Sequence, residues 1–99
     1  MKRYQVTAPA ESDLRQVAAW YREHRSVASA RRVLSDLRRQ MQQLAENPRI
    51  GKPREDLAPP EFFFWPHRRY LIVYRPETKP LQIIRVWDTS QNPARFRAR

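Results

Sequence analysis

Two helical repeats that lie almost end to end constrain the fold of this chain more than any other feature. In residues 10–24 the apolar side chains recur at helical spacing, and they are Leu14, Val17, Ala18 and Tyr21. Residues 27–46 carry a second stripe at alternating spacings of four and three, made of Ala30, Leu34, Leu37, Met41 and Leu44. Only Arg25 and Ser26 separate the two patterns, which therefore predict an antiparallel helical hairpin.

The residues that flank the two repeats define where the helices begin and end. Tyr4 and Val6 predict a short first strand, and Pro9 suits a first helical turn, where its missing N–H would be unpaired anyway. Ser26 is a suitable N-cap for the second helix. Asn47-Pro48 predicts the end of that helix, because the residue before a proline disfavours helical geometry.

The second half of the chain predicts a small sheet. Residues 47–60 contain four prolines and the only glycine, which is typical of a loop that leads from the helices to the strands. Three strands follow, at residues 62–65, 69–75 and 81–87, and the short turns between them make neighbours antiparallel. The predicted fold class is α+β, with an N-terminal strand and an antiparallel helical hairpin packed on a small antiparallel β-sheet.

Side-chain alternation divides this predicted sheet into two faces. One face is purely aliphatic and is predicted to pack on the helices; its members are Leu71, Val73, Ile84 and Val86. The other face is predicted to show aromatic and basic side chains, namely Tyr70, Tyr74, Arg85 and Trp87. One half of the segment FFFW, residues 62–65, belongs to this second face.

The FFFW segment places bulky side chains on both faces of one short strand. Phe62 and Phe64 point one way while Phe63 and Trp65 point the other, and only one of these pairs can face the helices. Either the C-terminal tail covers the other pair, through Phe96, or a partner segment does.

Arginine dominates the charge of the protein. The chain has 20 Lys+Arg against 10 Asp+Glu, a formal net charge of +10, and only Lys2, Lys52 and Lys79 are lysines. A planar guanidinium pairs well with carboxylate or phosphate, so the composition favours an acidic partner, either nucleic acid or an acidic protein segment. A solvated basic surface explains the same charge.

Two strand arginines and the basic tail are candidate contact residues. Arg75 and Arg85, which lie near aromatic residues, can stack on them and still present their forks to an acidic group. An internal ion pair with Glu77, Asp88 or the C-terminal carboxylate explains these arginines equally well. The tail, residues 89–99, is either a contact arm or simply a basic end.

Several classes of protein are not supported by this sequence. There is no cysteine, no apolar run near the roughly 18 residues of a membrane span, and no apolar region after Met1 typical of a signal peptide, so we expect a cytoplasmic protein. There is no P-loop or nucleophile elbow. His24 and His67 lack a second ligand at metal spacing, so we expect neither a cofactor nor a metal.

The order strand, helical hairpin, Pro-rich loop, three-stranded meander and basic tail resembles the RelE/ParE superfamily of bacterial toxin–antitoxin toxins. The matching segments occur in the order YQVTAPAESDLRQVAAWY, LAENPRIGKPRED, RRYLIVYRP and IIRVWDTSQNP. The resemblance covers nearly the whole chain, which we interpret as a single domain of residues 1–99 with a basic tail at 89–99.

Two functions divide this superfamily: RelE-like members are ribosome-dependent mRNA endonucleases, and ParE-like members inhibit DNA gyrase. The positions of the basic catalytic residues of RelE-like nucleases are occupied here by non-basic residues, at Phe62, Phe64, Leu71 and near Thr89. A His-Tyr pair that other nucleases use falls on Asp88-Thr89. The resemblance therefore favours the ParE-like function, although ParE-like proteins commonly carry an arginine at Phe63 and a small-residue or histidine pair at Asp88-Thr89.

The resemblance implies a toxin that acts by binding, with DNA gyrase as its target and a cognate antitoxin whose acidic segment joins it in a hetero-oligomer. The hypothetical target-binding residues are Arg75, Arg85, Trp87, Arg95 and Arg97. The hypothetical antitoxin-binding residues are Phe62, Phe64, Arg31, Arg38 and Tyr74. One alternative is a RelE-like endonuclease that uses Arg75, Arg85, Tyr70 or Tyr74. Another is a nucleic-acid-binding module without toxicity.

Overall fold

A computed structural model describes residues 3–90 of the chain. Its elements are β1 (Tyr4–Val6), α1 (Ala8–His24), α2 (Val27–Glu46), β2 (Lys52–Pro53), β3 (Phe63–His67), β4 (Tyr70–Arg75) and β5 (Leu81–Asp88). Residues 91–99, which hold most of the predicted basic tail, lie outside the described residues. The predicted α+β class and helical hairpin are confirmed.

The five strands form one mixed sheet in the order β1-β5-β4-β3-β2. β1 runs parallel to β5, whereas the other neighbours are antiparallel. The predicted antiparallel pairing of the three consecutive strands β3, β4 and β5 is confirmed. The sequence gives no prediction for the pairing of β1, because three residues carry no signal for its direction. The sequence did not predict β2, because Lys52–Pro53 lies inside a proline-rich segment and proline argues against a strand. Proline is tolerated in β2 because this strand lies at the edge of the sheet.

The helices begin at residues that also fasten them to other elements. Ser26 caps α2 as predicted, because its hydroxyl oxygen accepts a hydrogen bond of 3.0 Å from the Ser29 amide. Thr7 stands before α1, but its hydroxyl donates to the Ile83 carbonyl at 2.9 Å instead of capping the helix. The start of α1 is thus held against β5.

The turn between β3 and β4 lies two residues later than predicted. Pro66 and His67 belong to β3, and Arg68 and Arg69 form the turn, with Arg68 at a φ of 56° in the left-handed region. Proline is tolerated there because β2 pairs only with the first two residues of β3. Pro66 therefore lies on the unpaired part of the edge, where no partner needs its N–H.

The prediction that the aliphatic face of the sheet packs on the helices holds for Val86 and is wrong for its other members, which are Leu71, Val73 and Ile84. The core between helices and sheet contains Tyr70, Ile72 and Tyr74, together with Ile83 and Val86. A β-bulge explains part of this error, because Val73 pairs with Arg85 while Tyr74 pairs with Ile83. The extra residue brings Ile83 and Val86 to one face, although strict alternation would separate them.

A second, smaller core lies on the opposite face of the sheet. Its buried members are Ala58, Phe62, Phe64, Leu71, Val73, Ile84 and Trp87, with Leu57 packed against them. The loop before β3 therefore returns over the sheet and contributes side chains of its own. The predicted outer surface of Tyr70, Tyr74 and Trp87 does not exist, because all three side chains are buried.

The FFFW segment is covered on both faces. Phe62 and Phe64 lie in the second core, while Phe63 and Trp65 pack against the core under the helices. Trp65 also donates from Nε1 to the Gln40 side-chain oxygen at 2.8 Å. Residues of the described part of the chain thus contact both pairs, and Phe96, which we had considered as a cover, lies outside the described residues.

Tyr74 ties the proline-rich loop to the sheet. Its hydroxyl donates to the Pro48 carbonyl at 2.6 Å and accepts from the Gly51 amide at 3.0 Å. The approach is so close that a Cβ on Gly51 would overlap the Tyr74 hydroxyl and lie 2.9 Å from the Phe64 carbonyl oxygen. The only glycine of the sequence is therefore needed for space.

We predict that Gly51→Ala lowers the free energy of unfolding by about 1–3 kcal/mol, because overpacking displaces the Tyr74 hydroxyl. Urea unfolding of the variant measures this loss. In a Tyr74→Phe background the same glycine substitution should cost less, since the overlapping hydroxyl is gone. An equal cost in both backgrounds would show that Tyr74 is not what the added methyl group meets.

Candidate interaction surfaces

Arg85 forms a two-point ion pair with Asp13 on α1. Asp13 Oδ2 accepts from Arg85 Nε at 2.7 Å, and Asp13 Oδ1 accepts from Arg85 Nη2 at 3.0 Å. This hydrogen-bonded carboxylate raises the pKa of Arg85 above its usual value and outweighs the opposing effect of burial. The guanidinium is therefore held in place by a fixed fork geometry.

The same carboxylate also closes the edge of the sheet. β1 pairs with β5 only as far as Ile83, so the outer side of β5 loses its strand neighbour beyond that residue. Asp13 Oδ2 accepts from the Val86 amide there at 2.9 Å, and Asp13 is the only buried charged residue in the described part of the chain. One buried carboxylate thus satisfies both an edge amide and a guanidinium.

The structure therefore changes the interpretation of Arg85 and Trp87, two of the predicted target contacts. Arg85 is joined to Asp13, not to Glu77 or Asp88, and 71% of its side chain is covered, since 29% is exposed. Trp87 is buried in the second core. Both side chains support the sheet in this structure, so neither offers a free surface.

The hypothetical antitoxin-binding residues divide into buried and exposed groups. Phe62, Phe64 and Tyr74 are buried, which contradicts the idea that they form an open surface. Arg31 and Arg38 are exposed on α2. A partner that contacts α2 from outside can reach these two arginines without disturbing either core.

Arg75 remains an exposed basic residue at the end of β4. Its guanidinium carbon lies 6.0 Å from the centre of the Phe62 ring, within the range of a cation–π contact. Stacking of this kind leaves the nitrogen atoms of the fork available to an acceptor. Arg95 and Arg97, the other hypothetical target contacts, lie outside the described residues.

A basic groove beside α2 was missed by the sequence analysis. It has a volume of about 490 Å³ and is lined by Tyr21, Ser29, Arg32, Val33, Ser35, Asp36, Arg39 and Arg68; we call it the arginine groove. Arg32 and Arg39 are seven residues apart on one helix, a spacing that places them on one face. Arg68 joins them from the β3–β4 turn, which no local pattern predicts.

Asp36 lies among the cations of the arginine groove. Its Oδ2 is 2.7 Å from His67 Nε2 and accepts from Arg68 Nε at 3.3 Å, while Arg39 Nη1 lies 3.8 Å from its Oδ1. The hydrogen bond with His67 is the largest cause that lowers the pKa of Asp36 below 3.8, against the opposing effect of burial. Asp36 therefore orients neighbouring basic side chains without neutralising the groove.

A second pocket, of about 260 Å³, lies between α1 and β5. Its charged residues form two ion pairs, Asp13–Arg85 and Arg69–Asp88, the latter with 3.0 Å between Nη2 and Oδ2. Arg69 also stacks on Trp20 at 4.9 Å. Each arginine of this pocket thus already has a carboxylate partner, whereas Arg32 of the arginine groove has no ion pair within residues 3–90.

The geometry does not support the catalytic constellation considered for an endonuclease. Tyr70 and Tyr74 are buried, and burial raises the pKa of both phenols, that of Tyr70 to about 12. The Tyr74 hydroxyl is held by Pro48 and Gly51, and Tyr70 lines the pocket between α1 and β5 with its phenol protonated at neutral pH. Among residues 3–90 there is no group of three His, Cys, Asp or Glu side chains that could hold a metal ion.

Comparison with known proteins identifies the family. Residues 4–93 match the family model described as the ParE toxin of the type II toxin–antitoxin system, parDE. This chain belongs to the ParE toxin family. The match covers the helical hairpin and all five strands, and no curated protein sequence matches the chain.

A solved structure agrees with this ParE-family fold. The chain is similar to a chain from a structure titled "Chromosomal ParDE TA system from P. aeruginosa", with 20% sequence identity and a TM-score of 0.74. The similarity covers 86% of this chain and 92% of that chain. No helix of the described ParE-family residues is long and apolar enough to cross a membrane.

We predict that Asp13→Ala lowers the free energy of unfolding by about 2–4 kcal/mol, because it removes the buried carboxylate that accepts from both the Arg85 guanidinium and the Val86 amide. Chemical denaturation measures this change. In a double-mutant cycle, Arg85→Ala should cost much less once Asp13 is absent. Additive losses would mean that the two side chains stabilise the fold independently.

We predict a pH-dependent effect for Asp36→Asn. Because the pKa of Asp36 in the folded state lies below 3.8, its ionised carboxylate stabilises the protein fully at pH values above 3.8. This stabilisation is lost as the pH falls through the folded-state pKa. The variant should lose about 1 kcal/mol of stability at pH 6. Urea unfolding at pH 6 and pH 3 tests this, and a loss that is unchanged at pH 3 would contradict it.

Proposed function

We propose that this ParE-family protein arrests bacterial growth by binding DNA gyrase and that a cognate antitoxin neutralises it. The observation that carries this proposal is the contrast between its tyrosines and its surface arginines. The tyrosines that an RNA-cleaving site would need are buried, whereas Arg31, Arg38 and Arg75 are exposed. Such an arrangement suits recognition of an acidic surface more than proton transfer.

The target surface is proposed to centre on Arg75 and to include Arg95 and Arg97 of the C-terminal segment. Phe62 lies beneath the Arg75 guanidinium, and a stacked arginine loses less side-chain freedom when it meets a carboxylate or phosphate. In this proposal Trp87 and Arg85 do not contact the target. They support the surface around Arg75 by keeping β5 and the second core rigid.

The antitoxin is proposed to bind the outer side of α2 through Arg31 and Arg38, with an acidic segment facing them. The structural match supports a partner of this kind, because its title describes a toxin–antitoxin system. Phe62, Phe64 and Tyr74 are no longer needed as contacts. The complex is proposed to be a cytoplasmic hetero-oligomer of toxin and antitoxin.

The proposal is tested by inducing the protein alone in bacteria and assaying plasmid supercoiling and mRNA integrity in the same cells. Growth arrest with blocked supercoiling and intact mRNA is the expected result. Cuts in mRNA with normal supercoiling would overturn the proposal in favour of the endonuclease function. Normal growth at full protein level would overturn both.

We predict that Arg75→Ala weakens inhibition of purified gyrase by about tenfold, which is the loss of one well-placed charged contact. Arg54→Ala is the matched control, since Arg54 is also exposed but pairs with Asp56 at 2.8 Å in the loop before β3. The control should retain wild-type inhibition. Equal losses in both variants would indicate that net charge, not the Arg75 contact, controls inhibition.

A further inference from the structure

The arginine groove carries an excess of positive charge that the fold does not use. Three arginines line it against a single carboxylate, Asp36, which Arg68 and Arg39 share with His67. Arg32 has no ion pair among the residues that the structure describes. Charge that no internal acid neutralises is available to an external anion.

Two further arginines extend this charge along α2. Arg31 and Arg38 are exposed and, like Arg32, form no ion pair within residues 3–90. Arg31 and Arg38 are seven residues apart, as are Arg32 and Arg39, so each pair spans about 10 Å along the helix axis. The helix thus carries two rows of guanidinium groups, Arg31 with Arg38 and Arg32 with Arg39. Such rows match an anion whose charges repeat along its length.

The chemistry of the arginine groove suits phosphates. Protein partners usually bind through buried apolar anchors, yet the only exposed large hydrophobic residue in the described chain is Val27. Interfaces with nucleic acids are instead polar and strongly basic. The hydroxyls of Ser29 and Ser35, which line the groove, add donors that phosphate oxygens accept.

We infer that the arginine groove and the adjoining Arg31 and Arg38 bind the sugar–phosphate backbone of nucleic acid. Contacts of this kind read charge and spacing and not base sequence. The inference does not depend on gyrase inhibition, because it concerns the isolated protein and a different surface from Arg75. It shares Arg31 and Arg38 with the surface proposed for the antitoxin, so nucleic acid and antitoxin would compete for these two residues.

The test is fluorescence anisotropy of the purified chain with a labelled random-sequence 20-base-pair DNA duplex at 50–200 mM salt. The plot of log K against log salt concentration should fall with a slope of about −0.9 per phosphate contact. Arg32→Gln/Arg39→Gln should flatten the slope by about 2 units and weaken binding roughly 60-fold at 0.1 M salt, or about 8-fold per contact. A single-stranded RNA of equal length distinguishes a preference for DNA from general backbone binding.

Two control variants separate the groove from net charge and from unfolding. Lys52→Gln/Lys79→Gln removes the same two charges from exposed positions outside the groove and should change affinity less than threefold. Asp36→Asn removes the groove's only carboxylate and should tighten binding about three- to eightfold despite its lower stability. Thermal unfolding confirms that each variant is folded at the assay temperature.

The outcomes decide the inference. A groove variant that binds DNA as tightly as the wild type, or no tighter binding by Asp36→Asn, would overturn it. Failure of the wild-type protein to bind either nucleic acid, together with binding of a polyglutamate peptide, would overturn the inference and assign the arginine groove, like Arg31 and Arg38, to an acidic protein segment. Loss of DNA binding with unchanged gyrase inhibition would support the inference and leave the proposed function intact.

Discussion

The hydrogen bonds that the Asp13 carboxylate accepts from Arg85 and Val86, two consecutive residues of β5, are the interaction on which the rest of the structure depends. β5 is the one strand that pairs with both β1 and β4, and Asp13 closes the part of its edge that β1 does not reach. The same carboxylate fixes α1 against the sheet, while Thr7 fastens the start of that helix to Ile83. The position of the hairpin, and with it the arginine groove, follows from these contacts.

The helices were predictable from sequence because their signals are local. Ala30, Leu37, Met41 and Leu44 repeat on one face of α2, and all four are buried. The faces of the sheet were not predictable in the same way, since residues 70–74 of β4 are buried on both sides. A strand in which polar and apolar residues do not alternate does not reveal which side meets the helices. In β5, the bulge between the partners of Val73 and Tyr74 then reverses the alternation of side chains.

The candidate surfaces show the same difference between local and distant information. The exposure of Arg31 and Arg38 follows from their place outside the apolar stripe of α2. Arg85, in contrast, meets an acid 72 residues earlier in the chain, and Arg68 meets Asp36 across 32 residues. Pairings at such separations leave no periodic trace, so a basic residue that stabilises the fold looks the same in the sequence as one that binds a partner.

The sheet ends on both sides in very short strands, of three residues in β1 and two in β2, and the open part of β3 presents Pro66. Such edges give another chain almost no row of backbone amides to join. Within the described residues, the surface offered to a partner therefore consists of side chains on the outside of the helices, at the turns and at the strand ends. Those side chains are free to change without unfolding the protein, so related toxins with this architecture can acquire different, non-interchangeable partners while keeping one scaffold.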